Sequence, residues 1–104
     1  MLFHLQSCYS DAMKKRYRML AQGRVQGVGF RGTCAMYARQ FNLTGSVENL
    51  ETGDVEIYVQ GEAIDIERFK AAIQSENRWI RIDHLIEEQL PLDPDERRFE
   101  YKFY

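Results

Sequence analysis

Two cysteines, Cys8 and Cys34, are too few for a disulfide framework. Of the two histidines, His84 lies far from both cysteines and His4 stands four residues before Cys8, but one His–Cys pair is not a ligand set, so no metal site is expected. Cys34 then reads as a small apolar filler rather than a nucleophile. No apolar run is long enough to span a bilayer, and the first twenty residues lack the apolar centre of a secretory signal, so a cytoplasmic protein without a membrane partner is expected. The chain also lacks internal repeats and low-complexity segments. Its 104 residues, 44% hydrophobic, suit a single domain with a modest core.

The most pointed absence is of acid. No Asp or Glu stands between Ala12 and Val47, whereas Lys14, Lys15, Arg16, Arg18, Arg24, Arg31 and Arg39 all fall there. The first 47 residues therefore hold seven of the fourteen basic residues and only one, Asp11, of the sixteen acidic ones. Such asymmetry favours an anionic partner near the first half, unless the folded surface mixes the two halves.

Hydrophobic periodicity orders the elements. Residues 1–12 show no clear period and Met13 before Lys-Lys-Arg looks like a natural start, so an N-terminal extension is expected there and a domain over 13–104. Tyr17, Met19, Ala21 and Gly23 alternate as in a strand. Cys34, Tyr37, Ala38 and Phe41 then recur at helical spacing over 31–41. Two β-type runs flank Glu51-Thr52-Gly53, with Val55, Ile57 and Val59 on one face, and read as a hairpin. A second helix over 62–75 carries Ile66, Phe69 and Ile73, "WIRIDHLI" reads as a fourth strand, and Phe99, Tyr101 and Phe103 alternate in a C-terminal one. The order β-α-β-β-α-β is that of the ferredoxin-like α/β (α+β) sandwich, an antiparallel sheet with two helices on one face.

Between the first strand and first helix lies "GRVQGVGFRG", four glycines and two arginines in residues 23–32 with no acid. Gly27, Gly29 and Gly32 spell G-x-G-x-x-G, and Glu48 stands about twenty residues on, as a ribose-binding acid would. A dinucleotide fold, however, continues through another crossover helix into parallel strands, and here the second strand turns straight back. No Gly-Lys-Ser or Gly-Lys-Thr follows the glycines, which excludes a Walker A loop. What remains is an anion cradle, since the first N–H groups of a helix have no internal partners and a glycine loop can wrap them around a phosphate. Arg31 fits this reading: a cation in the first helical turn opposes the helix dipole by ~0.3–1 kcal/mol, and no Ser, Thr, Asp or Asn stands ready as a cap. A bound anion removes both objections. The plainer alternative is a solvated arginine beside a turn.

"GRVQGVGFR" followed by "GSVENLETGDVEIYVQG" resembles the acylphosphatase family, from about Tyr17 to the C-terminal strand. The resemblance implies hydrolysis of the carboxyl–phosphate bond of small acyl phosphates, with inorganic phosphate as product and neither cofactor nor metal. A monomer without a nucleic-acid partner is expected. By the same resemblance, Gln26, Gly27, Val28, Gly29 and Phe30 offer backbone N–H groups to the phosphate, Arg31 binds its oxygens, and Asn49 holds the attacking water.

The chemistry is coherent on its own terms. The leaving carboxylate is a stable anion of an acid with pKa about 4, so little general-acid help is needed. Fixed N–H dipoles and a bidentate arginine can position the phosphoryl group and stabilise charge on its oxygens. Asn49 can orient a water but has no basicity with which to deprotonate it. Two departures from the family stand out. Ser46 replaces a residue that is often bulky, and "SENRWIRID" replaces a Gly- and Pro-containing turn, which leaves the fourth-strand register open. Arg24, at the loop mouth, reads as solvated. Two other functions share these elements: a non-catalytic acylphosphatase-like accessory module, as in larger carbamoyl-transfer maturation proteins, and an RNA-binding domain. The latter needs stacked aromatics on its central strands, where "DVEIYVQG" supplies only Tyr58.

Overall fold

A computed structural model describes residues 13–75 and 77–103, so the extension expected over 1–12 lies outside the described residues. The elements run β1 (Lys14–Arg24), α1 (Phe30–Gln40), β2 (Thr44–Asn49), β3 (Val55–Glu62), α2 (Ala63–Ile73), β4 (Arg81–Leu90) and β5 (Phe99–Tyr101). They form one five-stranded sheet in the order β4-β1-β3-β2-β5. Among the first four strands each neighbouring pair is antiparallel, in the ferredoxin-like order that the periodicity implies.

The period-2 pattern of β1 and β3 places Met19, Ala21, Val55, Ile57 and Val59 on one face, all fully buried. Both helices cover that face: Phe30, Cys34, Ala35 and Ala38 of α1 join Ile66, Phe69 and Ile73 of α2 in the same cluster. A fully buried Phe such as Phe69 contributes about 2–3 kcal/mol through the water it sheds. Cys34 is buried and unpaired, its thiol pKa pushed up by desolvation, as a filler's would be.

The fifth strand departs from the all-antiparallel expectation, because β5 pairs in parallel with β2. The cause is the route of the chain. β4 ends beside the start of β1, in the row that also holds Gln60 and Thr44, and residues 91–98 then cross to the far edge of the sheet. A chain entering there must run alongside β2 in the same direction. The crossing is pinned to the helix-free face by reciprocal bonds between Gln60 and Asp93, Nε2 to O at 2.9 Å and N to Oε1 at 2.7 Å, and by Thr44 Oγ1 donating to Glu96 at 2.6 Å. The strand is also shorter than its alternation suggests, and Phe103 is 80% exposed beyond it.

β4 begins at Arg81 and not at Trp79. Asn77 Oδ1 accepts from the N–H groups of Trp79 (2.8 Å) and Ile80 (3.2 Å), closing a turn that delays the strand and leaves Trp79 exposed. The β1–β4 register shifts by one residue between Gln22 and Gly23, a bulge that Gly23 permits: a Cβ there would stand 2.3 Å from Arg81 O. The charge asymmetry of the sequence is offset in part by the fold. Arg18 binds Glu56 at 2.7 Å and Arg16 approaches Glu96 at 3.7 Å, so acids of the second half face bases of the first. No helix among the described residues is long and apolar enough to cross a membrane.

Candidate active site

The glycine loop is anchored at both ends by apolar side chains, Val25 and Phe30, each 1% exposed. Between them Gly27 and Gly29 adopt φ of 74° and 80°, and no atom lies within 4 Å of where a Cβ would sit on either. Backbone conformation, not crowding, therefore calls for glycine here. Val28 packs partly against the core, which turns the rest of the loop outward.

Gly29 caps α1 in the left-handed conformation without a side-chain hydrogen bond. Thr33 N, bonded to Gly29 O at 3.1 Å, is the first N–H of this helix with a backbone acceptor. Among the described residues, the backbone N–H groups from Gln26 to Gly32 donate to no other group. A run of unpaired donors at a helix N-terminus, with its partial positive charge, is the expected form of an anion site.

Arg31 does not extend into water. Its Nη1 donates to Lys102 O, and its guanidinium carbon lies 5.1 Å from the centroid of the Tyr101 ring. Asn49 is the last residue of β2, paired with Val55. Its Oδ1 is buried and accepts no hydrogen bond from any described residue. A buried acceptor left in this way costs about 1–3 kcal/mol, and the exceptions found in native proteins ask for a functional reason.

Two links bring these parts together. Lys102 N donates to Val47 O at 3.0 Å, so the segment that holds Arg31 is laced to β2 two residues before Asn49. Gln26 Nε2 donates to Leu50 O and Asp54 O, both at 2.8 Å, which ties the loop to the turn that follows Asn49. The loop, Arg31 and Asn49 thus meet at one end of the sheet, where β1, β2 and β5 terminate. The sequence pattern names Gln26 for its backbone; the side-chain tether and the part played by Tyr101 and Lys102 carry no signal in it.

The family model for acylphosphatases matches residues 17–101. This chain belongs to the acylphosphatase family. It is 44% identical over 84 residues to an acylphosphatase of Clostridium perfringens, a match covering 81% of this chain and 94% of that one. Its fold superposes on the crystal structure of acylphosphatase from Bacillus subtilis with a TM-score of 0.80 and 29% identity, covering 86% of this chain and 99% of that one. It also resembles a stretch of full-length HypF in its phosphate- and nucleotide-bound form, with a TM-score of 0.78 and 30% identity, covering 86% of this chain and 12% of that one.

Within this acylphosphatase-family fold one departure from the family pattern, Ser46, falls away from the loop, whereas the segment 77–83 meets the end of β1 where the loop begins, Arg81 pairing with Arg24. Ser46 pairs with Tyr58 and Glu100 on the helix-free face of the sheet. That face carries a cavity of about 640 Å³ lined in part by Arg16, Ser46, Tyr58, Glu96 and Lys102, and by none of residues 25–31. Arg24 is exposed at the end of β1, opposite Arg81. Among the described residues, no group of three His, Cys, Asp or Glu side chains is placed to hold a metal ion.

Proposed function

We infer that the protein is an acylphosphatase that cleaves the carboxyl–phosphate bond of small acyl phosphates to carboxylate and inorganic phosphate, and that residues 26–31 and Asn49 carry the reaction. The observation that supports this reading most directly is the run of unpaired N–H groups on the 26–32 loop, joined to Arg31 and Asn49 through β5 and the Gln26 tether.

The loop N–H groups of Gln26, Gly27, Val28, Gly29 and Phe30 receive the phosphoryl oxygens, and the Arg31 fork completes the cradle. Asn49 Oδ1 accepts a hydrogen bond from a water and aims its oxygen at phosphorus. That oxygen forms the new P–O bond as the bond to the acyl oxygen breaks, and the carboxylate leaves with the bonding pair. The water proton passes to a phosphoryl oxygen or to solvent, since an amide cannot hold it. Catalysis then consists of positioning and of fixed dipoles opposite developing charge. The domain acts without a metal, as a cytoplasmic monomer on a diffusing substrate, with no nucleic-acid or membrane partner.

A second reading, a non-catalytic acylphosphatase-like module serving a larger partner, draws on the match to part of HypF. Hydrolysis of benzoyl phosphate with a chelator present separates the two. Rapid turnover that is lost in Asn49→Ala supports the enzyme. Phosphate binding without turnover above background supports the module.

A further inference from the structure

The Arg31 guanidinium is engaged on two sides by β5 and the residue after it. One N–H is taken by Lys102 O, and the central guanidinium carbon lies over the Tyr101 ring, 5.1 Å from its centroid. Tyr101 is itself held in place. Its ring stands 4.6 Å from that of Phe103 and packs against the core, and its backbone is in register with Val47 of β2. Gly32, next to Arg31, presents no side chain to the ring; a Cβ there would stand 3.8 Å from Tyr101 Cε2.

We propose that Tyr101 is a positioning residue for Arg31: its ring pre-orients the guanidinium so that the free edge of the fork meets the phosphate. This rests on the phosphate site proposed above and adds a residue outside the glycine loop and the Asn49 strand. An arginine side chain loses much rotamer freedom on binding, and a guanidinium already docked on an aromatic face has lost part of it beforehand. The ring quadrupole supplies the attraction, which an aliphatic side chain of the same volume cannot. With one N–H on Lys102 O and the cationic centre over the ring, the other donors of the planar fork are left for phosphoryl oxygens. The bound phosphate itself then holds the arginine, so the loss of the ring falls on binding rather than on the chemical step.

The test is calorimetric binding of inorganic phosphate and benzoyl phosphate kinetics in the parent, Tyr101→Leu and Tyr101→Phe, with Tyr101→Met as a second ringless variant should the Leu protein not fold. Loss of the ring should weaken phosphate about five- to tenfold and raise KM by the same factor, with kcat held within about twofold, as the size of a partly desolvated cation–π contact implies. Tyr101→Phe, which keeps the ring and loses the hydroxyl, should return both to parent values. A general loosening of the fold would instead lower kcat or the folded fraction at constant KM. Parent-like phosphate affinity in both ringless variants, or equal weakening in Tyr101→Phe, overturns the role of Tyr101 and leaves the phosphate site intact. Failure of the parent to bind phosphate overturns the site itself and this role with it. Parent binding without turnover removes the hydrolase reading alone, because the affinity comparison still decides for or against Tyr101.

Discussion

Gln26 is hydrogen-bonded through its side-chain amide to Leu50 O at 2.8 Å, and the same nitrogen reaches Asp54 O at 2.8 Å. One residue of the glycine loop thus clamps the turn that follows Asn49, and in the proposed site the distance between cradle and water depends on it. Gln26→Ala should lower kcat/KM about tenfold, in keeping with the sensitivity of catalysis to small misplacements. Gln26→Glu should do worse, since its carboxylate would face two carbonyl oxygens with no proton to give and bring negative charge beside an anion site. Losing both hydrogen bonds should also cost about 1–2 kcal/mol, a fall of several degrees in the unfolding midpoint by circular dichroism. Parent-like turnover in Gln26→Glu would show that the tether does not set the loop.

Arg31 and Asn49 should fail in different ways. Arg31→Ala should abolish phosphate binding and turnover together, and Arg31→Lys should recover little, because a point charge cannot reproduce the planar fork. Asn49→Ala should lower kcat by roughly 10²-fold while inorganic phosphate still binds, as expected for one lost preorganised group. The buried Oδ1 of Asn49 has no donor among the described residues, so its removal should leave the protein at least as resistant to heat as the parent. Joint loss of phosphate affinity and turnover in Asn49→Ala would contradict the water-holding role.

The glycine loop and Arg31 of the candidate site could be marked from the chain because their setting is local: a glycine pair before a helix and an arginine in its first turn are fixed by neighbours in sequence. Asn49 is named only by the resemblance to the family. The rest depends on contacts between distant segments. Alternation marks Phe99–Tyr101 as a strand but does not name its partner. The parallel edge beside β2 is set by the route of residues 91–98 and the Gln60–Asp93 bonds, 33 residues apart. The same holds for the basic first half, whose apparent field is cut down once Arg18 meets Glu56, 38 residues away. Neither the Gln26 tether nor the seat of Arg31 on Tyr101 leaves a periodic trace, since one is a side chain reaching a turn and the other crosses from helix to edge strand.

The two hairpin-forming strands depend on Gly45 for their close approach. Its φ is 140°, and a Cβ there would fall 1.8 Å from Tyr58 O. Backbone cannot yield as a flexible side chain can, so Gly45→Ala should cost more than about 3 kcal/mol and leave most of the protein unfolded or insoluble. Gly53, in the turn with φ of 96°, has nothing within 4 Å of its Cβ position. Gly53→Ala should cost only the backbone strain, about 1–2 kcal/mol, and yield a folded protein with a lowered midpoint. A folded, stable Gly45→Ala would mean that β2 and β3 can separate without loss of the sheet.

Lys70 of α2 ties the helix to the exposed edge of the sheet, its Nζ 2.8 Å from Glu87 and 3.4 Å from Glu67. The hydrogen bond to Glu87 raises the Lys70 pKa above the ordinary value of 10.5, with partial burial pulling the other way. Because the folded-state value is the higher one, the folded form holds the proton more tightly. Its contribution is therefore complete below pH 10.5 and disappears as the pH rises through the folded-state pKa. Lys70 and Glu87 are 20% and 31% exposed, so solvent screening keeps the pair to less than about 1 kcal/mol. Lys70→Met retains the packed stem and removes the charge. The difference in unfolding midpoint between parent and variant should stay constant from about pH 6 to 9 and shrink toward zero at higher pH, where the lysine of the parent is neutral too. Comparing the two proteins at each pH cancels the titration of groups they share. A difference that widened with alkalinity would mean that the ammonium destabilises the fold and that Glu87 does not compensate for its desolvation.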